Sequence, residues 1–320
     1  MNKKKVLAAV LALLILAAGF NAGSPVDSSI SLGEKTMDMF LPSYKELTLE
    51  SGNSSKRIAV LDYDGIIGDD SYFYNFMNSL ENIRKDSSVK GVIMRINSPG
   101  GGVYESKVIK DKILQLKKEN AVKFYTVMGS AAASGGYYIS SPSDSIYASS
   151  ETITGSIGVI LSYMNYGALA EKYGVQNVVI KSGKNKDMGS SFSQMTNEQR
   201  QIFQTLIDNS YERFLDTVAS GRNMSKEKVR KLADGRVYDG SQALAAGLID
   251  KLGYYDDALG DLKKELKLHS PEVFTYEYKD GLNKFIELLG MESSVRSNAE
   301  YLTQLSQKNA PRLMYLYGGM

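Results

Sequence analysis

The sequence predicts an α/β protein with a mainly parallel sheet and a helical C-terminal extension. Three observations carry this prediction: short runs rich in Val and Ile, amphipathic helical stretches between them, and mostly helical patterns after Thr196. Short apolar strands that alternate with helices are typical of βαβ units. The predicted architecture therefore places the N-terminal two thirds in the sheet and its covering helices.

The predicted elements follow one another in a regular order. Strand-like runs occupy residues 57–65, 91–98, 122–128, 145–149 and 175–182. Helix-like stretches lie between them at residues 72–85, 103–119, 134–140 and 166–173. The dense Val and Ile content of these strands, with amphipathic helices between them, indicates βαβ units.

Helical patterns dominate the rest of the chain. Thr196 is a predicted N-cap, apolar residues follow at helical spacing, and Gly221 marks the predicted end of that helix. Two shorter helices follow in "SKEKVRKLADG" and "GSQALAAGL". We expect the closing fifty residues to form helices and a loose tail that ends in "RLMYLYGGM".

Composition excludes several classes of function. The 320 residues carry a net charge of +2 from 38 basic and 36 acidic side chains, which gives no reason to propose nucleic acid as a partner. The chain has no cysteine, so disulfides, thiolate nucleophiles and zinc–thiolate sites are impossible. Its single histidine, His269, lies in the polar stretch "KELKLHSPE", where a surface turn is expected.

The N-terminus predicts export. Three lysines precede the apolar stretch from Val6 to Phe20, and lysines in that position favour a cytoplasmic N-terminus with the remainder outside. We expect residues 1–23 to be a single-pass anchor in the cell membrane, with the body on the extracytoplasmic side. Cleavage after Gly19 or Ala22 is the alternative. Residues 24–56 are rich in Ser, Gly, Asn and charges, and are predicted to be a tether.

Three glycine-rich turns follow predicted strands and are candidate sites. They are "NSPGGG" at residues 97–102, "AASGG" around Ser134, and "TGSIGV" around Ser156. Small neighbours allow a sharp strand-to-helix turn that exposes a serine hydroxyl beside free backbone N–H groups. From the residues alone, ordinary tight turns and close helix packing explain these segments equally well.

A nucleophilic serine needs a base, and the sequence leaves few candidates. Without cysteine and with one poorly placed histidine, lysine, aspartate and glutamate remain. The loop "KSGKNKDMGS" offers Lys181, Lys184 and Lys186, and a lysine can act as a base if burial lowers its pKa. Spacing does not choose among the three.

Several motifs together resemble the signal peptide peptidase A family, in its short, single-repeat, membrane-anchored form. The motifs are "RINSPGGGVYES", "GSAAASGGYYIS", "TITGSIGV", "KSGKNKDMG" and "VYDGSQALAAGLID", and the resemblance covers about residues 57–265. It implies a ClpP/crotonase-like fold of stacked ββα units and a serine–lysine dyad that hydrolyses remnant signal peptides. It also implies a homo-oligomeric ring and no metal or other cofactor.

The resemblance assigns roles by motif. Ser134 matches the nucleophile, Lys186 the general base, and Ser156 the serine that holds the lysine amine. The oxyanion donors match the N–H of Gly135 and one N–H of the glycine turn, with Gly101 favoured and Gly100 close behind. The family often has an aromatic residue between the two lysines and a proline shortly afterwards, whereas this chain has Asn185 and Ser191.

The same resemblance sets the expected domains and the alternatives. Residues 57–265 are the expected peptidase domain, and residues 266–320 are a C-terminal extension whose apolar, Tyr-rich tail could lie in a neighbour's substrate groove. A crotonase-like acyl-CoA enzyme and a non-catalytic membrane scaffold are the rival functions.

Overall fold

The computed structural model describes residues 43–279 and 313–317. A compact unit formed by residues 46–276 with 304–320 contains every candidate site residue. A second unit comprises residues 1–45 and 277–303, most of which lie outside the described ranges. The predicted anchor at 1–23 and the first part of the predicted tether, residues 24–42, also lie outside them. Across the described ranges, no helix combines the length and the apolar character that crossing a membrane requires.

The strands and helices of the described ranges alternate as the sequence predicts. The strands are β1 (Ser43–Glu50), β2 (Asn53–Asp64), β3 (Val89–Ser98), β4 (Gly100–Gly102), β5 (Lys123–Ala133), β6 (Ser145–Ala148), β7 (Ile153–Gly155), β8 (Val237–Tyr238), β9 (Lys251–Leu252), β10 (Pro271–Lys279) and β11 (Met314–Leu316). The helices are α1 (Ser71–Lys85), α2 (Val103–Asn120), α3 (Gly135–Ser140), α4 (Gly167–Lys172), α5 (Asn197–Gly221), α6 (Lys226–Leu232), α7 (Gly240–Ala246) and α8 (Tyr255–Glu265).

One large sheet organises the unit. Its strand order is β1-β10-β2-β3-β5-β6-β9, and β10, β2, β3, β5, β6 and β9 pair in parallel. The far end of β5 leaves β6 and pairs instead with β7, also in parallel, whereas β8 pairs antiparallel to β7. This arrangement confirms the predicted α/β class and the mainly parallel sheet.

Helices cover both faces of the sheet, and alternation along the strands determines which side chain meets which helix. On β2, Ile58 and Val60 pack toward one side, in a core shared with Leu262 of α8. Leu61 and Tyr63 point the other way, into the larger core that holds side chains of α1, α2, α3 and α5. Both faces of the central strands are therefore buried, as expected for a parallel sheet.

The predicted boundary of the long C-terminal helix is confirmed. The side chain of Thr196 accepts a hydrogen bond from the backbone N–H of Gln199, and the Gln199 side chain accepts one from the Thr196 N–H. This reciprocal pair satisfies two N–H groups that a helix start otherwise leaves unpaired. The helix then runs to Gly221, where the sequence predicts its end.

Three segments differ from the predictions. Residues 175–182 were expected to be a strand, but they form none, and Val178 and Ile180 are 79% and 98% exposed. A strand needs a neighbour to satisfy its backbone, and residues 175–182 have no strand partner within the described chain. Residues 43–50 form β1 and residues 53–56 begin β2, where a tether was predicted. Residues 271–279, expected to be helical, form a strand that pairs with β2 and buries Val273 in one core and Phe274 in the other.

Candidate active site

Ser134 stands at the junction between β5 and α3. Its backbone has φ 53° and ψ −113°, a strained combination that non-glycine residues rarely adopt. The Ser134 N–H donates to the Gly155 carbonyl at 2.8 Å, and its carbonyl accepts from the Tyr138 N–H at 2.8 Å. The hydroxyl makes no hydrogen bond to any described residue. Ser134 is 1% exposed, so the exposed hydroxyl that the sequence predicts is not observed, although the backbone is fixed and the hydroxyl is uncommitted.

The glycine turn faces this junction and presents one of its two candidate N–H groups. The Gly100 N–H is occupied, because it donates to the Ser98 hydroxyl at 3.1 Å. The Gly101 N–H lies beside Gly135, since a β-carbon added to Gly135 would be 3.0 Å from the Gly101 nitrogen. A β-carbon on Gly100 would be 2.6 Å from the Gly135 nitrogen. The backbone nitrogens of Gly101 and Gly135 therefore both border a space that a β-carbon on Gly100 or Gly135 would fill.

The C-terminal strand β11 occupies this space. It pairs antiparallel to β4, with Tyr315 opposite Gly101. The Val103 N–H donates to the Leu313 carbonyl at 3.3 Å, and the Tyr317 N–H to the Pro99 carbonyl at 2.7 Å. In an antiparallel ladder, the pair midway between these two bonds is also hydrogen-bonded. The register thus directs the Gly101 N–H to the Tyr315 carbonyl.

The Tyr315 carbonyl also lies close to Gly135. A β-carbon on Gly100 would be 2.0 Å from the Tyr315 carbonyl oxygen and 2.6 Å from the Gly135 nitrogen, so both atoms border the same space. On the other edge of the strand, the Met314 N–H and carbonyl exchange hydrogen bonds of 3.0 Å with Ile160. A neighbour's groove was one place where the tail could lie; in this structure residues 313–317 lie against their own chain. They have the extended form of a peptide bound between two backbone edges.

The side chain of Tyr315 fills a deep aromatic pocket next to Ser134. It is 1% exposed, and its ring centroid lies 5.0 Å from that of Tyr138 and 4.5 Å from that of Phe214. Its hydroxyl donates to the Ser210 carbonyl at 3.1 Å, and burial raises the pKa of that hydroxyl. Tyr315 is therefore part of the larger core, where its ring packs on Tyr138 of the helix that follows Ser134.

Ser156 is brought to the same place. It directly follows Gly155, whose carbonyl accepts from the Ser134 N–H, and its own N–H donates to the Arg236 carbonyl at 2.8 Å. Its φ is 49° and the residue is 8% exposed. Ser156 lines a cavity of 560 Å³ that also contacts Tyr317 and Asp208. Ser134 and Ser156 thus lie at the ends of neighbouring strands, as the glycine-rich motifs predict.

Within one chain, the Lys186 amine makes no hydrogen bond to Ser134 or Ser156. Lys186 lies exposed in a turn, where its N–H donates to the Gly183 carbonyl at 3.1 Å. Its amine makes no hydrogen bond or ion pair with a described residue, so the amine is not within hydrogen-bonding distance of Ser134. The other two loop lysines are engaged: Lys181 pairs with Asp187 at 2.6 Å, and Lys184 with Glu198 at 2.9 Å. Of the three lysines in this loop, Lys186 is therefore the one whose amine has no partner among the described residues.

Other residue types add little to this site. His269 is exposed in the connection between α8 and β10, where a surface turn was expected. Residues 43–279 and 313–317 contain no group of three or more His, Asp or Glu placed to hold a metal ion. The sequence analysis assigned no role to Ser98 or Asn97. The Ser98 hydroxyl accepts from the Gly100 N–H in the glycine turn, and the Asn97 side chain accepts from the Ala131 N–H just before Ser134. Their place at the carboxyl end of a central strand was the available signal.

A protein-family model and several known proteins match this chain. The model of "Peptidase family S49" matches residues 116–269. "Putative signal peptide peptidase SppA" of Enterococcus faecium is 42% identical over 295 residues, 86% of this chain and 85% of the relative. "Protease 4" of Haemophilus influenzae is 33% identical over 84% of this chain and 48% of the relative. "Serine protease SPPA, chloroplastic" of Arabidopsis thaliana is 31% identical over 60% of this chain and 28% of the relative.

Proposed function

The chain belongs to peptidase family S49, and from that membership we propose that it cleaves peptides with Ser134 as nucleophile and Lys186 as general base. Membership places it among the SppA-type proteases and confirms the ClpP/crotonase-like fold that the motifs imply. The relatives named above are called proteases or peptidases, which favours peptide hydrolysis over the acyl-CoA and scaffold alternatives.

One observation carries the assignment of the nucleophile and the oxyanion donors. The Tyr315 carbonyl of an extended strand lies against Gly100, Gly101 and Gly135, next to the strained Ser134. A peptide carbonyl in that position is within reach of two backbone N–H groups, which is the arrangement that stabilises a tetrahedral oxyanion. Gly101 is the better donor of the glycine turn because Ser98 occupies the Gly100 N–H.

We propose that the lysine comes from a second copy of the chain. Lys186 is exposed and unpaired in its own chain, and the segment around it exposes large apolar side chains: Met164, Leu169, Tyr173, Val175, Val178 and Ile180. Next to this segment, a cavity of 610 Å³ lies between residues 161–165 and α5. An apolar surface of this kind is typical of a protein–protein contact. A second copy seated there would bury the segment and carry Lys186 toward a neighbouring Ser134.

The cavity beside Ser156 is the proposed entry point for that amine. Its 560 Å³ volume is lined by Ser156, Gly158, Asp208 and Asp234, close to Ser134. The Ser156 hydroxyl can hold an amine by hydrogen bonding. Exclusion of water by the second copy favours the uncharged form that a base requires, and it must outweigh the carboxylates of Asp208 and Asp234, of which Asp234 is already paired with Arg236. In a head-to-tail assembly each copy gives a lysine to one neighbour and receives one from the other.

The reaction is an acyl transfer. The uncharged Lys186 amine takes the Ser134 proton as the serine oxygen attacks the scissile carbonyl, and the N–H groups of Gly101 and Gly135 stabilise the resulting oxyanion. The C–N bond breaks as the lysine ammonium returns its proton to the leaving amine. Water, deprotonated by the same amine, then hydrolyses the serine ester and releases the acid product with a restored serine hydroxyl.

The proposed substrates are extended peptides, including remnant signal peptides. The position of β11 supports this, because a strand held between β4 and Ile160 is recognised through its backbone while pockets read alternate side chains. The Enterococcus faecium relative carries the name of a signal peptide peptidase. Anchoring through residues 1–23 would hold the peptidase next to such peptides, and that part of the proposal rests on the sequence.

The direct test compares variants of the full-length chain. Ser134→Ala and Lys186→Met should each abolish hydrolysis of a fluorogenic peptide and leave thermal unfolding unchanged. Ser134→Ala should also abolish labelling by a fluorophosphonate. Lys184→Met is the matched control, because Lys184 lies in the same loop but pairs with Glu198, and it should stay active. Wild-type activity of Ser134→Ala would overturn the assignment of the nucleophile.

A further inference from the structure

Asn97, at the carboxyl end of β3, connects three segments below the candidate nucleophile. Its Oδ1 accepts from the Ser130 hydroxyl at 2.9 Å and from the Ala131 N–H at 3.2 Å. Its Nδ2 donates to Asp64 at 3.0 Å, and its backbone carbonyl accepts from the Gly65 N–H at 2.9 Å. One side chain thus ties the ends of β2, β3 and β5 together.

These contacts occur where the ladder between β3 and β5 is interrupted. Ile96 pairs with Met128, but the next pair is Ser98 with Ala132, so β5 contains extra residues at this point. A bulge leaves backbone groups without their ladder partners and changes the direction of the strand beyond it. The Asn97 amide oxygen takes the place of the missing acceptor for Ala131. The residues that follow lead directly to Ser134.

The orientation of the Asn97 amide is determined by its partners. A backbone N–H can only donate, so the atom facing Ala131 must be the amide oxygen. A carboxylate can only accept, so the atom facing Asp64 must be the amide nitrogen. Rotation by 180° would break both bonds at once. Gly129 also packs closely here, since a β-carbon on it would lie 2.9 Å from the Asn97 β-carbon.

We propose that Asn97 is a positioning residue for the reaction, held in its working orientation by Asp64. It fixes the bulge of β5, and through Ala132 and Ala133 it fixes Ser134 and the Gly135 N–H against the glycine turn. The inference rests on the proposed function, because it assigns Asn97 a role through Ser134. The proposed role does not require Asn97 to contact the substrate.

An exchange of the two side chains tests this role. Asn97→Asp places a carboxylate opposite Asp64, and repulsion turns it away from Ala131. In the double variant Asn97→Asp/Asp64→Asn, the carboxylate now at position 97 can accept from Ser130 and Ala131, while the amide now at position 64 donates to it. The matched control is Asn97→Asp/Asp62→Asn, because Asp62 lies two residues earlier on β2 and pairs with Arg95 instead.

The measurements are peptide hydrolysis and the rate of fluorophosphonate labelling of Ser134 in the full-length chain. We expect Asn97→Asp to lower kcat by about 10- to 100-fold with little change in KM, the range that a displacement of about 1 Å produces. The exchange variant should return kcat to within about threefold of wild type, and the Asp62 control should stay low. An exchange that restores thermal stability but not kcat, or an equal rescue by Asp62→Asn, would overturn the proposal.

A second variant covers the case in which Asn97→Asp does not fold. Asp64→Ala changes an exposed side chain and removes only the acceptor that orients Asn97. It should lower kcat at an unchanged unfolding temperature, and a wild-type kcat would refute the role. The proposed function fails separately, through an active Ser134→Ala. An inactive Ser134→Ala combined with a fully active Asn97→Asp would refute the positioning role alone.

Discussion

Replacing Gly135 by alanine tests the geometry of the site with a single methyl group. The added β-carbon would lie 2.9 Å from the Ser106 hydroxyl oxygen, 3.0 Å from the Gly101 nitrogen and 3.1 Å from the Gly100 α-carbon. Ser106 cannot turn aside freely, because its hydroxyl donates to the Gly102 carbonyl at 2.8 Å. The glycine turn must therefore move away from Gly135.

The expected loss follows from that movement. Removing one oxyanion donor typically costs about 10²- to 10³-fold in kcat, which is about 3–4 kcal/mol of transition-state stabilisation. Overpacking by a methyl group costs about 1–3 kcal/mol of folding free energy. Because the free energy of unfolding of a folded domain is about 5–15 kcal/mol, Gly135→Ala should remain folded. It should nevertheless lose most of its turnover.

The assay pairs hydrolysis of a fluorogenic peptide with thermal unfolding of the same preparation. Gly260→Ala is the matched control: Gly260 lies inside α8, and nothing stands within 4 Å of an added β-carbon. That control should keep wild-type turnover and gain about 0.5–1 kcal/mol of stability, because alanine favours a helix over glycine. A folded Gly135→Ala chain with wild-type kcat would refute the assignment of this space to the oxyanion.

Three further outcomes are expected. Removal of residues 313–320 should lower KM for added peptides, because β11 vacates the groove; an unchanged KM would contradict competition by the tail. Hydrolysis should rise from pH 6 to pH 9, because only an uncharged Lys186 amine can take the serine proton; a flat profile would count against a lysine base. Hydrogen bonds from Lys251 and Tyr147 lower the pKa of Asp261 to about 2, so its ionised form stabilises the fold above about pH 4 and that stabilisation is lost as pH falls toward 2. Asp261→Asn should therefore lower the unfolding temperature at pH 7 and flatten its fall between pH 4 and pH 2; an unchanged slope would contradict this.

Local patterns were sufficient to predict most of the fold. Thr196, with Gln199 three residues later, carries its own N-terminal signal, and the dense Val and Ile content of β2 and β3 predicts burial without further context. The strand predicted at 175–182 failed for a physical reason. Strand propensity describes a side chain's fit to a sheet, and it does not supply a neighbouring strand.

The sequence identified the candidate site residues but not the contacts that hold them. Small neighbours around Ser134 and Ser156 indicated reactive turns, and the structure brings the two together through Gly155. The resemblance already favoured Gly101 over Gly100, and the hydrogen bond from Gly100 to Ser98, which no spacing reveals, supports that preference. The role proposed for Asn97 rests on a bulge whose register appears only when β3 and β5 are paired.

Mixing two inactive variants tests the shared dyad most directly. Full-length Ser134→Ala and Lys186→Met chains are each expected to be inactive. If each site takes Ser134 from one copy and Lys186 from the next, co-assembly of equal amounts should restore about a quarter of the wild-type sites, because one neighbour pairing in four is intact. If both side chains act within one chain, the co-assembled mixture should stay as inactive as either variant alone, and that result would contradict the shared site.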